Sequence, residues 1–249
     1  MRIRTFLLAV AALLLPLQVQ AQLYRASFLQ AAPGRLVELL EVLASGLSMY
    51  DTAGEARPYT MRHSQGDHWD ILLLEPLGAS MEAYYAPTRV ARRADAESGR
   101  PGGAEGHARK LRELVSWREE QIVRGPSSDA VATTFRGNAF VHLEIFLALP
   151  GLYDELFKER KMENAFSAAI GRPENLIFTR ESGAAWDMFT IGLYRDLKHY
   201  ASGGTATPEG EEAAAKAAGF ASRADIGPNL RRFISRHRDS LLGVVGTER

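Results

Sequence analysis

The chain has 249 residues, of which 46% are hydrophobic and 24% are charged, so it is long enough for one large domain or two small ones. Its 30 basic residues balance its 30 acidic residues, and this neutrality excludes the basic excess that nucleic-acid binding usually requires. The chain contains no cysteine, which excludes disulfides, cysteine-bound zinc, iron–sulfur clusters and a cysteine nucleophile.

Residues 1–21 have the pattern of a secretory signal peptide. A basic start, M-R-I-R, precedes the apolar run T-F-L-L-A-V-A-A-L-L-L-P-L and small residues at Val19 and Ala21. This run is shorter than the ~20 residues of a membrane-spanning helix, although a membrane anchor is the alternative interpretation. We expect cleavage after Ala21, which places the mature chain from Gln22 in the periplasm or outside a bacterial cell. No later apolar run is long enough to span a membrane.

The sequence repeats itself at a fixed offset of 117 residues. The stretch G-D-H-W-D, from Gly66 to Asp70, corresponds to G-A-A-W-D, from Gly183 to Asp187. The same offset aligns Ala31 with Ala148, Pro33 with Pro150, Gly34 with Gly151, Glu38 with Glu155, Leu39 with Leu156, and Gly54 with Gly171. This gapless match indicates an internal duplication, and two copies favour two sister units over a solenoid.

The first copy is predicted to cover residues 22–125 and the second residues 138–249, joined by a linker at residues 126–137. Apolar alternation, helical spacing and breakers such as Pro-Gly assign the elements. In the first copy these are a strand at Leu23–Gln30, a helix at Arg35–Tyr50, a hairpin of Tyr59–His63 and Trp69–Leu74, a loop at Arg89–Gly106, a helix at His107–Glu120 and a strand at Gln121–Arg124.

The second copy repeats this order, β-α-β-β-α-β. Its predicted elements are a strand at Phe140–Leu149, a helix at Leu152–Ile170, a hairpin of Asn175–Arg180 and Trp186–Ile191, a helical stretch at Arg195–Tyr200, a basic amphipathic helix at Asn229–Arg238 and a short strand at Leu241–Val245.

Two tandem β-α-β-β-α-β units with a tryptophan in each hairpin resemble the dimeric α+β barrel superfamily, which has a ferredoxin-like fold. Its branches include NIPSNAP-like proteins, antibiotic-biosynthesis monooxygenases, and the haem-binding chlorite dismutases and dye-decolourising peroxidases. The resemblance implies an α+β protein in which the two units pack their sheets face to face and form one barrel within the chain. It also leaves a homodimer open.

Two classes of function agree with this resemblance. The first is an exported barrel protein that binds a small apolar or aromatic ligand between the two sheets, without a cofactor. The second is an oxidoreductase, either a cofactor-free monooxygenase-like enzyme or a haem protein. Fold analogy alone does not separate the two.

The strand F-V-H-L-E-I-F-L-A-L offers the best candidate site. One face is aliphatic, and the other carries His142 and Glu144. We expect the aliphatic face to pack on helices and the polar face to line the barrel interior, together with Arg25 of the first copy. His142 and Glu144 are candidate catalytic and ligand-binding residues because histidine exchanges a proton near neutral pH and glutamate can orient it. The alternative is that Glu144 merely neutralises Arg25.

The repeated hairpin supplies two further candidates for ligand binding. Trp186 could stack on a flat ligand, and Arg180 near the hairpin turn could bind an anionic one. The alternative is structural: a repeated tryptophan packs in the core, and a repeated aspartate caps a turn. The basic run Arg231, Arg232, Arg236, His237 and Arg238 is interpreted in the same two ways, as an anion-binding patch or as the solvated face of the last helix.

Metal and nucleotide sites have no signature in the sequence. The chain has six histidines, but the spacings H-x-x-x-H and H-E-x-x-H are absent, so no metal site is predicted. Haem stays an alternative because its axial ligand is often a histidine. The G-x-G-x-x-G, P-loop and G-x-S-x-G motifs are also absent, which argues against dinucleotide binding and hydrolase chemistry of those classes.

Overall fold

The computed structural model describes residues 21–100, 102–183 and 185–246. The predicted signal peptide, apart from its last residue, lies outside these residues. No helix in the described ranges is both long and apolar enough to cross a membrane.

Eight strands and a set of mostly short helices make up the described chain. The strands β1 to β8 are Gln22–Ala31, Tyr59–Gln65, Ile71–Gly78, Val115–Gly125, Phe140–Ala148, Leu176–Gly183, Met188–Tyr194 and Ile234–Val244. The helices α1 to α10 are Leu36–Ser45, Leu47–Ala53, Met81–Tyr84, Pro87–Ser98, Gly103–Leu114, Ser128–Phe135, Tyr153–Ala169, Leu197–Ala201, Pro208–Ala218 and Ile226–Arg231.

The strands close into one barrel in the order β1-β3-β2-β8-β5-β7-β6-β4. The four strands β4-β1-β3-β2 come from the first sequence copy and β8-β5-β7-β6 come from the second. The two sheets join through antiparallel pairing of β2 with β8 and of β4 with β6. The α+β fold with two ferredoxin-like units that form a barrel inside one chain is therefore confirmed.

Apolar side chains from all eight strands fill the barrel interior. These buried residues are Tyr24, Ala26, Phe28, Met61, Leu72, Leu74, Val123, Val141, Leu143, Ile145, Leu176, Phe178, Phe189, Ile191, Leu193 and Leu242. Burial of each large apolar side chain contributes about 1.5–3 kcal/mol, so this cluster is a main source of stability for a chain without disulfides. Val131 and Phe135 of α6, which lies in the predicted linker, belong to the same cluster.

The repeated G-x-x-W-D stretch lies at the two seams of the barrel, where β2 pairs with β8 and β4 pairs with β6. Gly66 has φ +131°, and a Cβ there would lie 2.4 Å from the backbone oxygen of Asp239 on β8. Gly183 has φ +107°, and its Cβ would lie 2.8 Å from the Cα of Gln121 on β4. Each glycine thus permits a close approach between the two units that a side chain would block.

The aspartate of each repeat has the same structural partner. Asp70 Oδ2 accepts a hydrogen bond from the backbone N–H of Ala31 at 2.8 Å, and Asp187 Oδ2 accepts one from Ala148 at 2.8 Å. Trp69 is buried in the barrel core, and Trp186 packs against the same core. These contacts agree with the structural interpretation of the repeated stretch.

Several element assignments differ from the sequence predictions, and three of these concern segments rich in charged residues. The predicted helix at 107–120 ends at Leu114, and its last residues belong to β4, which starts at Val115. The predicted basic helix at 229–238 divides into the end of α10 and the start of β8. The predicted loop at 89–106 contains most of α4. In the first two cases strand pairing outweighs local helix propensity, whereas α4 is rich in alanine and arginine, which themselves favour a helix.

The predicted orientation of β5 is wrong. Its aliphatic residues Val141, Leu143 and Ile145 line the barrel interior, whereas His142 and Glu144 face the helices. Both sides of this sheet are covered, one by the opposite sheet and one by helices, so the more apolar face does not mark the helix side. The barrel packs its purely aliphatic face inward because the interior offers no partner for charge.

Candidate functional site

A cavity of about 470 Å³ lies beneath the helices of the first unit, on the outer face of its sheet. This volume falls within the usual range of small-molecule sites. Leu43, Met49 and Leu73 supply part of an apolar wall, and the remaining wall carries arginine, glutamate, tyrosine and one histidine. The cavity therefore combines apolar contact area with polar groups that could orient a ligand.

The cavity exists where the first unit's long helix is interrupted. Gly46 separates α1 from α2, whereas α7 of the second unit runs unbroken over Tyr153–Ala169. A Cβ on Gly46 would lie 2.9 Å from Arg100 Nη2 and 3.4 Å from His107 Cε1, two residues of the cavity wall. A larger residue at Gly46 would therefore push into that wall.

Three polar side chains form a hydrogen-bonded group at the cavity. Arg25 Nη2 on β1 donates to the hydroxyl oxygen of Tyr84 at 2.5 Å, and that hydroxyl donates to Glu75 Oε1 on β3 at 3.2 Å. Arg25 Nε lies 3.2 Å from Glu75 Oε2, which closes the group with an ion pair. The side chains of Arg25 and Glu75 are only 28% and 18% exposed, so bulk water screens this pair weakly.

Two guanidinium groups pack against the ring of Tyr84. The guanidinium carbon of Arg93 lies 3.9 Å from the ring centroid and that of Arg89 lies 4.8 Å away. Arg89 is itself fixed, because it donates to the carbonyl oxygen of Leu77 at 2.6 Å and forms an ion pair with Glu55. Cation–π contacts of this kind restrict the ring and hold its hydroxyl at the cavity.

The environment changes the proton affinity of the cavity groups. Burial raises the pKa of Glu75, although the charge of Arg25 and the bond from Tyr84 oppose the shift. Burial, together with the charge of Glu75, raises the pKa of Tyr84. Burial also raises the pKa of Tyr50, another residue of the cavity wall. A carboxylate with raised proton affinity beside a fixed hydroxyl can accept a proton from a ligand.

The equivalent space of the second unit is filled by a buried charge cluster. Arg160 of α7 is 2% exposed and lies 2.6 Å from Glu159, 2.5 Å from Glu163 and 3.7 Å from Glu144. Its guanidinium also packs over the ring of Phe146 at 4.8 Å. Such a buried cation tolerates low dielectric only because several carboxylates surround it.

Two histidines extend this cluster toward the surface. His237 Nε2 lies 3.2 Å from Glu144 Oε1, and His142 Nε2 lies 3.1 Å from Asp239 Oδ1. Burial opposes the charge on Glu144, but the bond from His237 and the charge of Arg160 lower its pKa to about 2. Burial raises the pKa of Glu159 to about 7 despite its contact with Arg160.

The structure distributes the predicted site residues over three places. Arg25 lines the first-unit cavity on the outer face of its sheet, so its predicted place in the barrel interior is wrong, and His142 and Glu144 belong to the second-unit cluster. Trp186 and Arg180 lie at the β6–β7 hairpin, where Trp186 Nε1 donates to Glu119 and Arg180 Nη2 donates to Asp187 at 2.7 Å. The five residues therefore do not form a single pocket, and their roles in catalysis or ligand binding stay predictions.

Sequence reasoning missed the main partners of these residues. Glu75, Tyr84 and Arg160 carry no local sequence signal that marks them as partners of Arg25 or Glu144. The predicted helix at 229–238 contains His237, but in the structure His237 and Asp239 lie two residues apart on the same outer face of β8. A period-two pattern over 235–241 is the signal that would have found it.

The histidine of the cavity does not suit a haem. His107 lines the cavity, and Arg100 Nη2 lies 2.9 Å from its Nδ1. Because arginine can only donate, Nδ1 accepts and the proton of the neutral ring lies on Nε2. Burial and the charge of Arg100 lower the pKa of His107, which favours this neutral form. Neither nitrogen is thus free as an axial ligand, so the residues present do not fit a haem here.

Comparisons with known proteins give similarities of fold. A scan against family models finds no matching family, and a search of curated proteins finds no match. Among solved structures, an "anthrone oxidase-like protein" matches with a TM-score of 0.53 and 13% identity over 92% of each chain. A "Putative monooxygenase" from Fusobacterium nucleatum matches with a TM-score of 0.52 and 10% identity, over 90% of this chain and 93% of that chain.

A mutant chlorite dismutase from Candidatus Nitrospira defluvii matches at a TM-score of 0.48 and 10% identity, over 90% of this chain and 92% of that chain, which is too distant to support an argument. At these identities the similarities concern the backbone and carry no residue roles. Together with the strand order, the two matches with TM-scores above 0.5 show that this chain has a ferredoxin-like α+β barrel fold.

Proposed function

We propose that the protein binds a small aromatic molecule with a hydroxyl or carboxylate group in the first-unit cavity. The observation that carries this proposal is the bonded group of Arg25, Tyr84 and Glu75 beside apolar wall residues such as Leu43 and Leu73. The apolar wall supplies contact area for a ring, the guanidinium of Arg25 supplies N–H donors for a ligand oxygen, and the hydroxyl oxygen of Tyr84 can accept from a ligand hydroxyl. The packed barrel interior is the reason for placing the ligand beneath the helices rather than between the sheets.

Three probes that share one ring system test the proposal. Titration calorimetry with the chain from Gln22 compares naphthol, naphthoate and naphthalene, which differ only in the polar group. We expect naphthol or naphthoate to bind at least tenfold more tightly than naphthalene, because their oxygen can replace solvent at Arg25 and Tyr84.

Variants distinguish this cavity from general surface binding. Arg25→Gln and Tyr84→Phe should each weaken binding of the oxygen-bearing probe at least tenfold. Arg180→Gln is the matched control, because Arg180 is another arginine in an ion pair with a carboxylate but lies outside the cavity. Equal affinity in wild type and Arg25→Gln, or no binding of any probe, would contradict the proposal.

Oxidation of such a ligand is a second candidate function. Glu75 has a raised pKa and lies in hydrogen-bond contact with Tyr84, so it is suited to accept a proton from an activated ring carbon. A carbanion formed in this way can react with dioxygen, so that a ring CH₂ and O₂ yield a ring C=O and water. Two structural neighbours with TM-scores above 0.5 carry the words monooxygenase and anthrone oxidase-like in their names.

Oxygen uptake tests this second candidate. Anthrone, which has an acidic CH₂ between two rings, is incubated with the protein in an oxygen electrode while anthraquinone is followed by absorbance. We expect Glu75→Gln to lower the rate at least tenfold while naphthol binding persists. A wild-type rate no higher than that of buffer alone, or a Glu75→Gln rate equal to that of the control Arg180→Gln, would remove oxidation and leave binding as the function.

We also propose that the chain is exported and that the mature protein begins at Gln22. The support is the basic, apolar and small-residue pattern of residues 1–21 together with a chain free of cysteine. The mass of the protein purified from a periplasmic fraction tests this. A protein that keeps residues 1–21 and stays with the membrane would overturn this proposal. A mass measured under native conditions also decides whether two chains associate.

A further inference from the structure

Three side chains of metal-ligand type meet on the outer face of the second unit. Glu144 comes from β5, and His237 and Asp239 come from the neighbouring strand β8. Glu144 of β5 is paired with Asp239 of β8. His237 is paired with Phe146, which follows Glu144 by two residues on the same outer face of β5. One ligand atom from each of the three residues lies within 4.8 Å of the other two. The spacing along the sequence concealed this group because its members come from two strands.

The distances within the group suit a single bound ion. His237 Nε2 lies 3.2 Å from Glu144 Oε1 and 3.5 Å from Asp239 Oδ1. A tetrahedral ion with bonds of about 2.0–2.1 Å holds its ligand atoms roughly 3.3 Å apart, since the edge of a tetrahedron is about 1.6 times the bond. The ring of His237 is already fixed, because it stacks on Phe146 at 4.8 Å and 6°.

A second histidine is positioned to orient one of the ligands. His142 Nε2 lies 3.1 Å from Asp239 Oδ1, and its ring contacts Tyr200 with centroids 5.3 Å apart. Metal-binding carboxylates are commonly held by a hydrogen bond from a second residue of this kind. The Asp239 side chain, which is 55% exposed, thus has a partner that holds it toward His237.

The charge balance of the cluster favours a further cation. Two buried carboxylates, Glu144 and Glu159, and the partly exposed Glu163 surround the single guanidinium of Arg160. Asp239 adds a fourth carboxylate at the rim. Arg160 lies closer to Glu159 and Glu163 than to Glu144, so Glu144 and Asp239 keep negative charge that a bound cation would balance.

The first unit lacks the group, although its backbone is equivalent. Ser27 occupies the position of Glu144, and Glu120 is paired with it across β4, as Asp239 is paired with Glu144 across β8. Arg118 then occupies the position of His237 and forms an ion pair with Glu120. A fixed cation in place of a histidine ligand satisfies the carboxylate and leaves no position for a metal. The ligand set is therefore a feature of one copy and not a requirement of the fold.

We propose that Glu144, His237 and Asp239 bind one divalent transition-metal ion, with His142 as a positioning residue for Asp239. One nitrogen and two carboxylate oxygens are a ligand set that Zn²⁺ accepts, and three protein ligands leave a fourth position for water or a small anion. The site lies in the second unit and does not depend on the ligand proposed for the first-unit cavity.

Zinc binding to the purified chain tests the proposal. The chain from Gln22 is stripped with a chelator, dialysed and titrated with Zn²⁺ by calorimetry in excess Mg²⁺. We expect one ion per chain and at least a tenfold loss of affinity in each of Glu144→Gln, His237→Ala and Asp239→Asn. His68→Ala is the matched control because His68 forms a surface pair with Asp67 at 2.6 Å.

The variant Asp239→Asn keeps the test decisive if the others fail to fold, because the Asp239 side chain is mostly exposed. Zinc affinity equal in wild type and Asp239→Asn, or no zinc bound by the wild type, would overturn the proposal. Cobalt gives a second readout: bound Co²⁺ in a four-coordinate site absorbs visible light more intensely than hydrated Co²⁺. Loss of this band in His237→Ala but not in His68→Ala is expected, and its persistence in His237→Ala contradicts the site. Naphthol binding should be unchanged in all of these variants.

Discussion

The two units share one backbone plan but use the space beneath their helices in opposite ways. In the first unit Leu43 and Gly46 leave a cavity, and at the equivalent positions of the second unit Arg160 and Glu163 fill it with charge. Both units retain the seams of the barrel, where Gly66 approaches β8 and Gly183 approaches β4. The difference teaches that duplication preserved the closure of the barrel, while the outer faces of the two sheets diverged.

The largest expected effect tests whether the second unit depends on its charge cluster. Arg160→Met should lower the free energy of unfolding by about 3–5 kcal/mol, because it leaves Glu144 and Glu159 buried without their cation. Urea unfolding at neutral pH measures this. Lys161→Met, an exposed neighbour on the same helix, should change stability by less than about 0.5 kcal/mol. A loss as small as that of the control would show that the cluster does not stabilise the unit.

The next effect concerns pH. The pKa of Glu159 is about 7 in the folded protein, above its ordinary value of 4.5, so the native state binds this proton more tightly than the unfolded state. The resulting stabilisation is complete below pH 4.5 and is lost as the pH rises to 7. As the pH rises over this range, the free energy of unfolding of wild type should fall by about 1–3 kcal/mol more than that of Glu159→Gln.

Urea unfolding at both ends of that pH range measures the difference. The matched control is Glu155→Gln, an exposed glutamate on the same helix, which should leave the pH dependence of wild type unchanged. The first unit has Val42 at the position of Glu159, so it contributes no titration there. Identical pH profiles for wild type and Glu159→Gln would contradict the assignment.

A smaller effect should be equal in the two units. Asp70→Ala and Asp187→Ala each remove a carboxylate that accepts a backbone hydrogen bond at 2.8 Å, so each should lower the free energy of unfolding by about 2 kcal/mol. Asp187 also pairs with the half-exposed Arg180, which adds less than about 1 kcal/mol. Thermal unfolding of both variants and of Arg180→Gln measures this. A large effect in one unit alone would contradict a shared structural role.

The smallest expected effect sharpens the contrast between an open and a filled unit. Leu43→Trp should occupy part of the cavity and weaken naphthol binding at least tenfold, which corresponds to about 1.4 kcal/mol, with little change in stability. Val37→Trp on the same helix is the control, because Val37 is 68% exposed and is not part of the cavity wall. Unchanged affinity in Leu43→Trp would place the ligand elsewhere.

Local patterns predicted the elements of the second unit best. The strand predicted at 140–149 is β5 at Phe140–Ala148, and the helix predicted at 152–170 is α7 at Tyr153–Ala169. Prediction failed where charged residues occupy a strand, as in W-R-E-E of β4 and S-R-H-R-D of β8. Those residues are compatible with a helix locally, and only pairing with β1 and β5 selects the extended conformation.

The candidate sites were predictable only in part. Arg25, His142 and Glu144 were recognised because polar residues in a central strand are costly to bury without partners. Their partners Glu75, Tyr84 and Asp239 lie between 50 and 97 residues away along the chain. No spacing rule connects residues at such distances, so the hydrogen-bond partners could not be assigned.

The sequence by itself determined that the fold is built twice, because Gly66 and Gly183, with the Trp-Asp pairs that follow them, recur at one offset. It also determined the order of the elements, since period and breakers are local properties. Only the tertiary structure decided which face of β5 points inward. Alternation separates two faces but does not say which lies inside, and in a barrel covered by helices both faces are buried. The same packing decided that one unit encloses a cavity and the other a charge cluster.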